Sequence, residues 1–337
     1  MSYSRPLVTK QNMYTHNFRI LLLLLLFPIA GYCQKTDSLS KKLDSLSHKT
    51  DSIGHQTNII KPGAYNENTK ITPATYFILL GSDFKQQFMA PFATSKKGWG
   101  KVCVFTALVG ALSFADEPIQ KTTTKYINSH NTAANISNVI TNTGGIYEAV
   151  TLGILGTYGF AFHNEKIKTT TLLASQSYIT SAGLVYVIKN LTGRQRPSYY
   201  NPDRVETEPT FKGPFAKAGR DIYGKKVNSS FPSGHATAAF AAATVYAMEY
   251  RDKPLIKYLS YGAASLIAAS RITENKHWIT DVVVGSMLGH LCGRQVVNNY
   301  HRYAKVQNDK ARQLKNKISF NTQFLDGRIL PGLVYRP

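Results

Sequence analysis

The chain has 337 residues, 43% of them hydrophobic, and Lys+Arg outnumber Asp+Glu by 40 to 19. That is enough for one large domain with a sizeable core plus accessory segments, so a chain without a core is excluded. The net charge of +21 favours anionic partners (phosphates, acidic lipid headgroups or nucleic acid) without choosing among them.

The first segment reads as a targeting signal. Arg5, Lys10 and Arg19 precede the apolar run ILLLLLLFPIA, and GYC leads into the polar QKTDS. The run is shorter than the roughly 20 apolar residues that a membrane span needs. Residues 1–33 are therefore expected to be a signal peptide cleaved after Cys33, starting at Met1 or Met13. A lipid anchor on Cys33 is the competing reading, and Tyr32 before the cysteine counts against it. Cleavage leaves Cys103 and Cys292, both in apolar stretches and expected as buried free thiols.

Residues 34–70 form a polar, heptad-like spacer. DSLSKKL, DSLSHKT and DSIGHQT repeat with period seven, with Leu39, Leu46 and Ile53 recurring. A coiled coil wants two apolar positions per heptad, so the repeat falls short of one. From residue 71 the pattern is helical. The spacing predicts helices near 74–90, 99–115, 132–142, 145–163, 167–192, 234–250, 254–271 and 276–300, separated by Gly, Pro and Asp/Asn clusters. The tail, 306–337, is basic and ends in ISFNTQF and ILPGLVY around Asp326-Gly327, a short hairpin-like pattern. The expected fold class is all-α: a bundle of about six to eight helices with that hairpin-like tail. Residues 169–188 carry no charge but are rich in Ser and Thr, and the mean hydropathy is −0.20. A soluble bundle and a membrane-embedded one both stay open.

Three constellations carry chemistry. In SRITENKHWITD, residues 270–281, a helix over 276–300 would place His277 and Asp281 at i and i+4 on one face. The carboxylate can then accept the imidazole Nδ1–H and leave Nε2 as a nucleophile. Arg271 ends the preceding helix, and its fork suits a phosphate. In FPSGHAT, residues 231–237, Ser233 is a candidate N-cap. The free amides of Gly234 and His235 would make an anion site, and His235 can donate a proton to a leaving group. In KNLTGRQRP, residues 189–197, Lys189, Arg194 and Arg196 would repel one another without an anion among them, and Pro197 is expected to end the helix. Gly285, Gly289 and Gly293 continue the stripe of His277 and Asp281, and helix 234–250 is expected to pack on it. Singly, each part has an ordinary structural reading: a surface pair, a cap or a basic helix end.

Together these residues resemble the three signature motifs of the PAP2 (type 2 phosphatidic acid phosphatase) superfamily, which also includes bacterial class A acid phosphatases and vanadium haloperoxidases. The resemblance covers roughly residues 71–300. The domain itself is taken as 71–305. It implies a phosphatase without metal or cofactor: His277 forms a phosphohistidine, Asp281 orients it, and His235 serves as acid and then base. Lys189, Arg196, Ser233, Gly234 and Arg271 would hold the phosphoryl oxygens, with Arg194 extra to the pattern. The expected substrate is a phosphate monoester or diphosphate of a lipid or isoprenoid, handled on the periplasmic side. An anionic membrane surface is the expected partner, and no nucleic acid. The alternatives are a soluble periplasmic acid phosphatase, a haloperoxidase ligating vanadium through His277, or a helical lipid- or nucleic-acid-binding protein. In the 198–231 connection Tyr199, Tyr200, Phe211, Phe215 and Tyr223 alternate with Lys212, Lys217, Arg220, Lys225 and Lys226, which suits a lid or a lipid-facing rim as well as a solvated loop.

Overall fold

The computed structural model describes residues 41, 43 and those from 64 onward, except 199–200, 202, 215–218, 221–223, 225, 326–327 and 336–337. For 142–148 and most of 315–335 it describes the backbone alone. The expected signal peptide, most of the spacer and much of the 198–231 connection, including Tyr199, Tyr200, Phe215, Lys217, Tyr223 and Lys225, lie outside the described residues. Residues 1–42 and 43–337 form separate contact units.

Eight α-helices follow one another among the described residues: α1 Pro73–Ala93, α2 Lys96–Ser113, α3 Asp116–Ser129, α4 Asn131–Ala161, α5 Glu165–Thr192, α6 Gly234–Glu249, α7 Pro254–Thr273 and α8 Ile279–Lys317. Two differences from the expected helices have clear causes. Gly144-Gly145 looked like a break, yet α4 runs through it; a glycine costs about 1 kcal/mol in a helix but does not end one. Helix α3 was not expected because it has no apolar stripe. Its buried residues are Asp116, Gln120 and Thr124, one helical face made of polar groups. Gln120 donates to the Ile272 carbonyl at 2.8 Å and to Asn275 Oδ1 at 2.9 Å.

The fold is built around α6. Its alanines are buried on several faces, as a helix apolar all round should be. It packs on α5, α7 and α8. The contact with α8 is backbone to backbone. A Cβ at Gly285 would meet the Ser233 carbonyl oxygen at 2.6 Å, one at Gly289 the Thr237 oxygen at 2.1 Å, and one at Gly293 the Ala241 oxygen at 2.4 Å. The glycine stripe therefore packs against α6, as the spacing suggested.

Beyond α8, β1 (Ile318–Leu325) runs antiparallel to β2 (Arg328–Tyr335), in register from Ile318↔Tyr335 to Leu325↔Arg328. These strands pair only with each other, and none enters the bundle. The fold class that joined a bundle with a hairpin-like tail is corrected accordingly: it is an all-α bundle, of which β-structure is no part. Helix α8 also runs unbroken past residue 305 to Lys317.

Two surfaces matter later. The outside of the bundle is unusually apolar. No residue of α2 is buried, and Trp99, Val102, Val104 and Leu108 face outward, as do Ile136, Val150, Ile154 and Phe160 of α4. Cys103 is exposed too, contrary to expectation, whereas Cys292 is buried. Helix α5 is long and apolar enough to cross a membrane alone; α2 and α3, bent by 54° at their junction, pass the same test as a pair. At the carboxyl end of α6, residues 64–69 dock on the bundle. The Tyr65 hydroxyl donates to Glu249, Tyr300 Oη to the Ala64 carbonyl at 2.8 Å, and Asn66 Nδ2 to Asn308 Oδ1 at 3.0 Å.

Candidate active site

The three motifs meet at the amino end of α6. The first leaves α5 where the expected helix ended. The helix stops at Thr192, and Gly193 turns the chain with φ 59°, its N–H donating to the Lys189 carbonyl at 3.0 Å. A side chain at 193 would also strike the Gly213 carbonyl oxygen at 2.5 Å, so glycine is required twice over. Pro197 thus lies beyond the helix rather than ending it. Lys189 Nζ donates to the Ser229 carbonyl at 2.6 Å, and Arg196 Nη2 to Ser229 Oγ at 3.1 Å. Both cations are thereby tied to the strand of chain that leads into the second motif.

In that motif Ser233 precedes α6, but its side chain makes no cap. Its N–H donates to the Asp281 carbonyl at 3.0 Å, and its Oγ is buried without a hydrogen-bond partner. A Cβ at Gly234 would meet nothing closer than Val185 Cγ1 at 3.8 Å, so the neighbouring protein does not demand a glycine there. His235 is half-buried in the first turn.

The third motif departs most from expectation. Helix α8 begins at Ile279, so His277 lies on the loop before it rather than one turn along it. Its Nδ1 is 3.7 Å from Asp281 Oδ2, beyond a hydrogen bond. That oxygen accepts instead from Ser230 Oγ at 2.5 Å and from the Trp278 N–H at 3.0 Å. The latter is the return half of a capping box, which satisfies an amide at the start of α8. Ser230 Oγ stands 3.5 Å from His277 Nδ1, so hydroxyl and carboxylate together face that edge of the ring. The His277 backbone N–H donates to the Arg271 carbonyl at 3.2 Å, tying the main chain there to the end of α7. Arg271 is buried, and its Nε has no partner.

Sequence reasoning missed the support behind Asp281. Arg194, read as an extra cation, is 2% exposed. It bridges two buried carboxylates: Nη1 donates to Asp281 Oδ1 at 2.6 Å and Nη2 to Asp116 Oδ2 at 2.5 Å. Asp116 in turn accepts from the Thr280 N–H at 3.0 Å and hydroxyl at 2.7 Å, so one carboxylate of α3 caps α8 from outside. Phe211 covers the guanidinium, its ring centre 4.8 Å from Cζ. Neither Arg194 nor Asp116 carried a sequence signal of this contact.

His277 is 2% exposed. Burial first, then the positive charges of Lys189, Arg196, Arg271 and His235, hold its pKa well below the ordinary histidine value. A neutral imidazole thus faces a ring of cations, and an anion bound there would be attracted by all of them.

The fold is thus an all-α bundle that gathers two histidines and three cations at one helix end. Residues 170–304 match the PAP2 superfamily model, and this segment of the chain belongs to that superfamily. All three motifs lie in the matched segment. Over 87 residues the chain is 37% identical to the lipid A 1-phosphatase of Porphyromonas gingivalis, a match covering 24% of this chain and 20% of that relative. The chain thus matches about a fifth of the length of this curated relative. Among solved structures it is similar to Aquifex aeolicus LpxE, at 25% identity and TM-score 0.37, covering 52% of this chain and 92% of that one. It is also similar to a transmembrane PAP2 type phosphatidylglycerolphosphate phosphatase from Bacillus subtilis, at 20% identity and TM-score 0.40, covering 62% and 94%.

Proposed function

We propose that this protein is a membrane-embedded phosphatase acting on a lipid or isoprenoid phosphate or diphosphate through a phosphohistidine. Residues 71–305 form its catalytic domain, and the pocket opens at the membrane surface. The carrying observation is the buried, neutral His277 amid Lys189, Arg196 and Arg271. In the mechanism His277 Nε2 attacks phosphorus and the P–O bond to the leaving group breaks. His235 gives its proton to the departing oxygen. His235 then takes a proton from water, whose oxygen attacks phosphorus and frees Nε2. Lys189, Arg196, Arg271, the Ser233 hydroxyl and the Gly234 amide hold the phosphoryl oxygens, which is a use for the unpartnered Ser233 Oγ and Arg271 Nε. Asp281, with Ser230, keeps the proton on Nδ1 and faces the cation that forms on the ring.

The outward apolar side chains of α2 and α4 support the bilayer reading, because a surface of that kind is suited to lipid. The similarity to a lipid A 1-phosphatase supports a lipid phosphate. The test is turnover of phosphatidate, undecaprenyl diphosphate and p-nitrophenyl phosphate by detergent-purified protein, with and without chelator. The lipid substrates are expected to lead, and His277→Gln to lose both turnover and an acid-labile phosphoryl adduct. Full turnover by His277→Gln, or activity that chelator removes and metal restores, overturns the mechanism. Preference for p-nitrophenyl phosphate returns the soluble acid phosphatase, and vanadate-dependent bromination the haloperoxidase.

A further inference from the structure

Where α4 begins and α7 ends, α3, α4 and the loop from α7 to α8 enclose a cleft of about 620 Å³. That volume is in the range of small-molecule sites, which are mostly apolar; this one is not. Four asparagines line it: Asn128 of α3 and Asn131, Asn135 and Asn138 of α4. The last three recur at i, i+4 and i+7, so α4 turns one face of amides to the cleft. All four lie before residue 170, outside the segment that the superfamily model matches.

The α7–α8 loop is common to this cleft and the phosphate pocket. Thr273, Glu274 and Lys276 line the cleft, and Arg271 and His277 stand at either side of them in the chain. Asn275 fixes the loop between: it donates to the Arg204 carbonyl at 2.7 Å and accepts from Gln120 at 2.9 Å. Lys276 and His277 are consecutive, so their Cα atoms are about 3.8 Å apart. A group joined to a phosphate at His277 is therefore a short step from the cleft.

The lining selects the ligand. A side-chain amide offers donors and an acceptor, and so does a hydroxyl; a phosphate only accepts and hydrocarbon does neither. Thr124 adds a second, independent sign. It is 6% exposed, it lines both this cleft and an adjoining cavity of about 470 Å³, and its hydroxyl has no hydrogen-bond partner among the described residues. Buried hydroxyls are seldom left so, and a ligand hydroxyl would complete this one.

We propose that the cleft holds a sugar joined to the phosphate that His277 attacks, so that the substrate is a glycolipid phosphate. Asn131, Asn135, Asn138 and Thr124 bind the sugar hydroxyls. The sugar is then the leaving group, and its oxygen takes the proton from His235. The inference rests on the phosphatase reading and names its substrate class.

Detergent-purified full chain is to be given an acylated glucose 1-phosphate, phosphatidate with the same acyl chains, and water-soluble glucose 1-phosphate. The expected kcat/KM is about tenfold higher on the glycolipid than on phosphatidate, with the soluble sugar phosphate slowest. Asn131→Ala and Asn135→Ala should each raise KM for the glycolipid about fivefold and leave phosphatidate hydrolysis at the parent level. Thr124→Val should raise the same KM without lowering the melting temperature, whereas loss of a merely structural hydroxyl would lower it. Equal kcat/KM on the two lipids, or a double asparagine variant that loses the same factor on both, overturns the proposal. So does glucose 1-phosphate turned over as fast as the glycolipid, which would make the cleft a site for a free sugar phosphate. A chain that hydrolyses none of the three overturns the phosphatase reading instead. Binding then decides the cleft by itself: His277→Gln should retain the glycolipid over phosphatidate in native mass spectrometry, and equal retention of both sinks it.

Discussion

Replacing Gly289 with alanine tests how the halves of the pocket are held together. A Cβ at 289 would lie 2.1 Å from the Thr237 carbonyl oxygen and 2.9 Å from the Ala241 amide nitrogen. Ordinary contact is 3.4–4 Å, and both atoms belong to the backbone of α6, so no side-chain rotation relieves the clash. The helices must part by about 1 Å or more, at a cost of about 1–3 kcal/mol. Helix α6 carries Ser233, Gly234 and His235, and α8 begins just after His277, so the separation widens the pocket itself. Misplacement by about 1 Å costs on the order of 100-fold in rate. The expected result is a kcat down about 100-fold on a lipid phosphate, with a smaller change in KM and a lower melting temperature in detergent. Gly262→Ala is the matched control. Its Cβ would meet nothing within 4 Å, so activity should hold and stability should rise by up to about 1 kcal/mol. A Gly289→Ala protein with full kcat and unchanged melting would refute the view that close backbone contact sets the pocket.

Arg194→Met leaves Asp116 and Asp281 buried without their shared cation, and should cost about 3–5 kcal/mol in thermal unfolding, with kcat falling more than KM rises. Adding Asp116→Asn should recover part of the stability; a single variant as stable and active as the parent contradicts the positioning role. The pH dependence follows from His277. Its pKa in the folded protein is depressed, so kcat/KM should persist from pH 7 to below about 6.5 before the acidic limb begins. In the same window the unfolded chain binds a proton that the folded chain refuses, so stability is lost as pH falls through 6.5. Thermal melts across that range should show this slope, reduced in His277→Gln; an acidic limb above pH 7 contradicts the depressed pKa.

The motif residues were legible because each constellation is local, and the glycine stripe because its period is that of a helix. Long-range polar support was not. Asp116 and Arg194 are 78 residues apart, and nothing in either stretch refers to the other. Helix α3 escaped notice for the same reason, since its buried face is Asp, Gln and Thr, and apolar periodicity cannot register a contact made by hydrogen bonds. The His277–Asp281 spacing misled in the opposite way. It is a helical interval, but Asp281 spends an oxygen on the Trp278 amide, starting α8 after the histidine and leaving the ring on a loop. Loop placement lets the His277 backbone N–H reach the Arg271 carbonyl at the end of α7.

The docking of residues 64–69 has a consequence for sidedness. Tyr65 is fastened to Glu249, the last residue of α6, whereas the histidines lie at its first turn. Tyr65 and His277 thus mark opposite ends of α6, and labelling a cysteine placed at each from either side of a sealed vesicle reads how the bundle is turned.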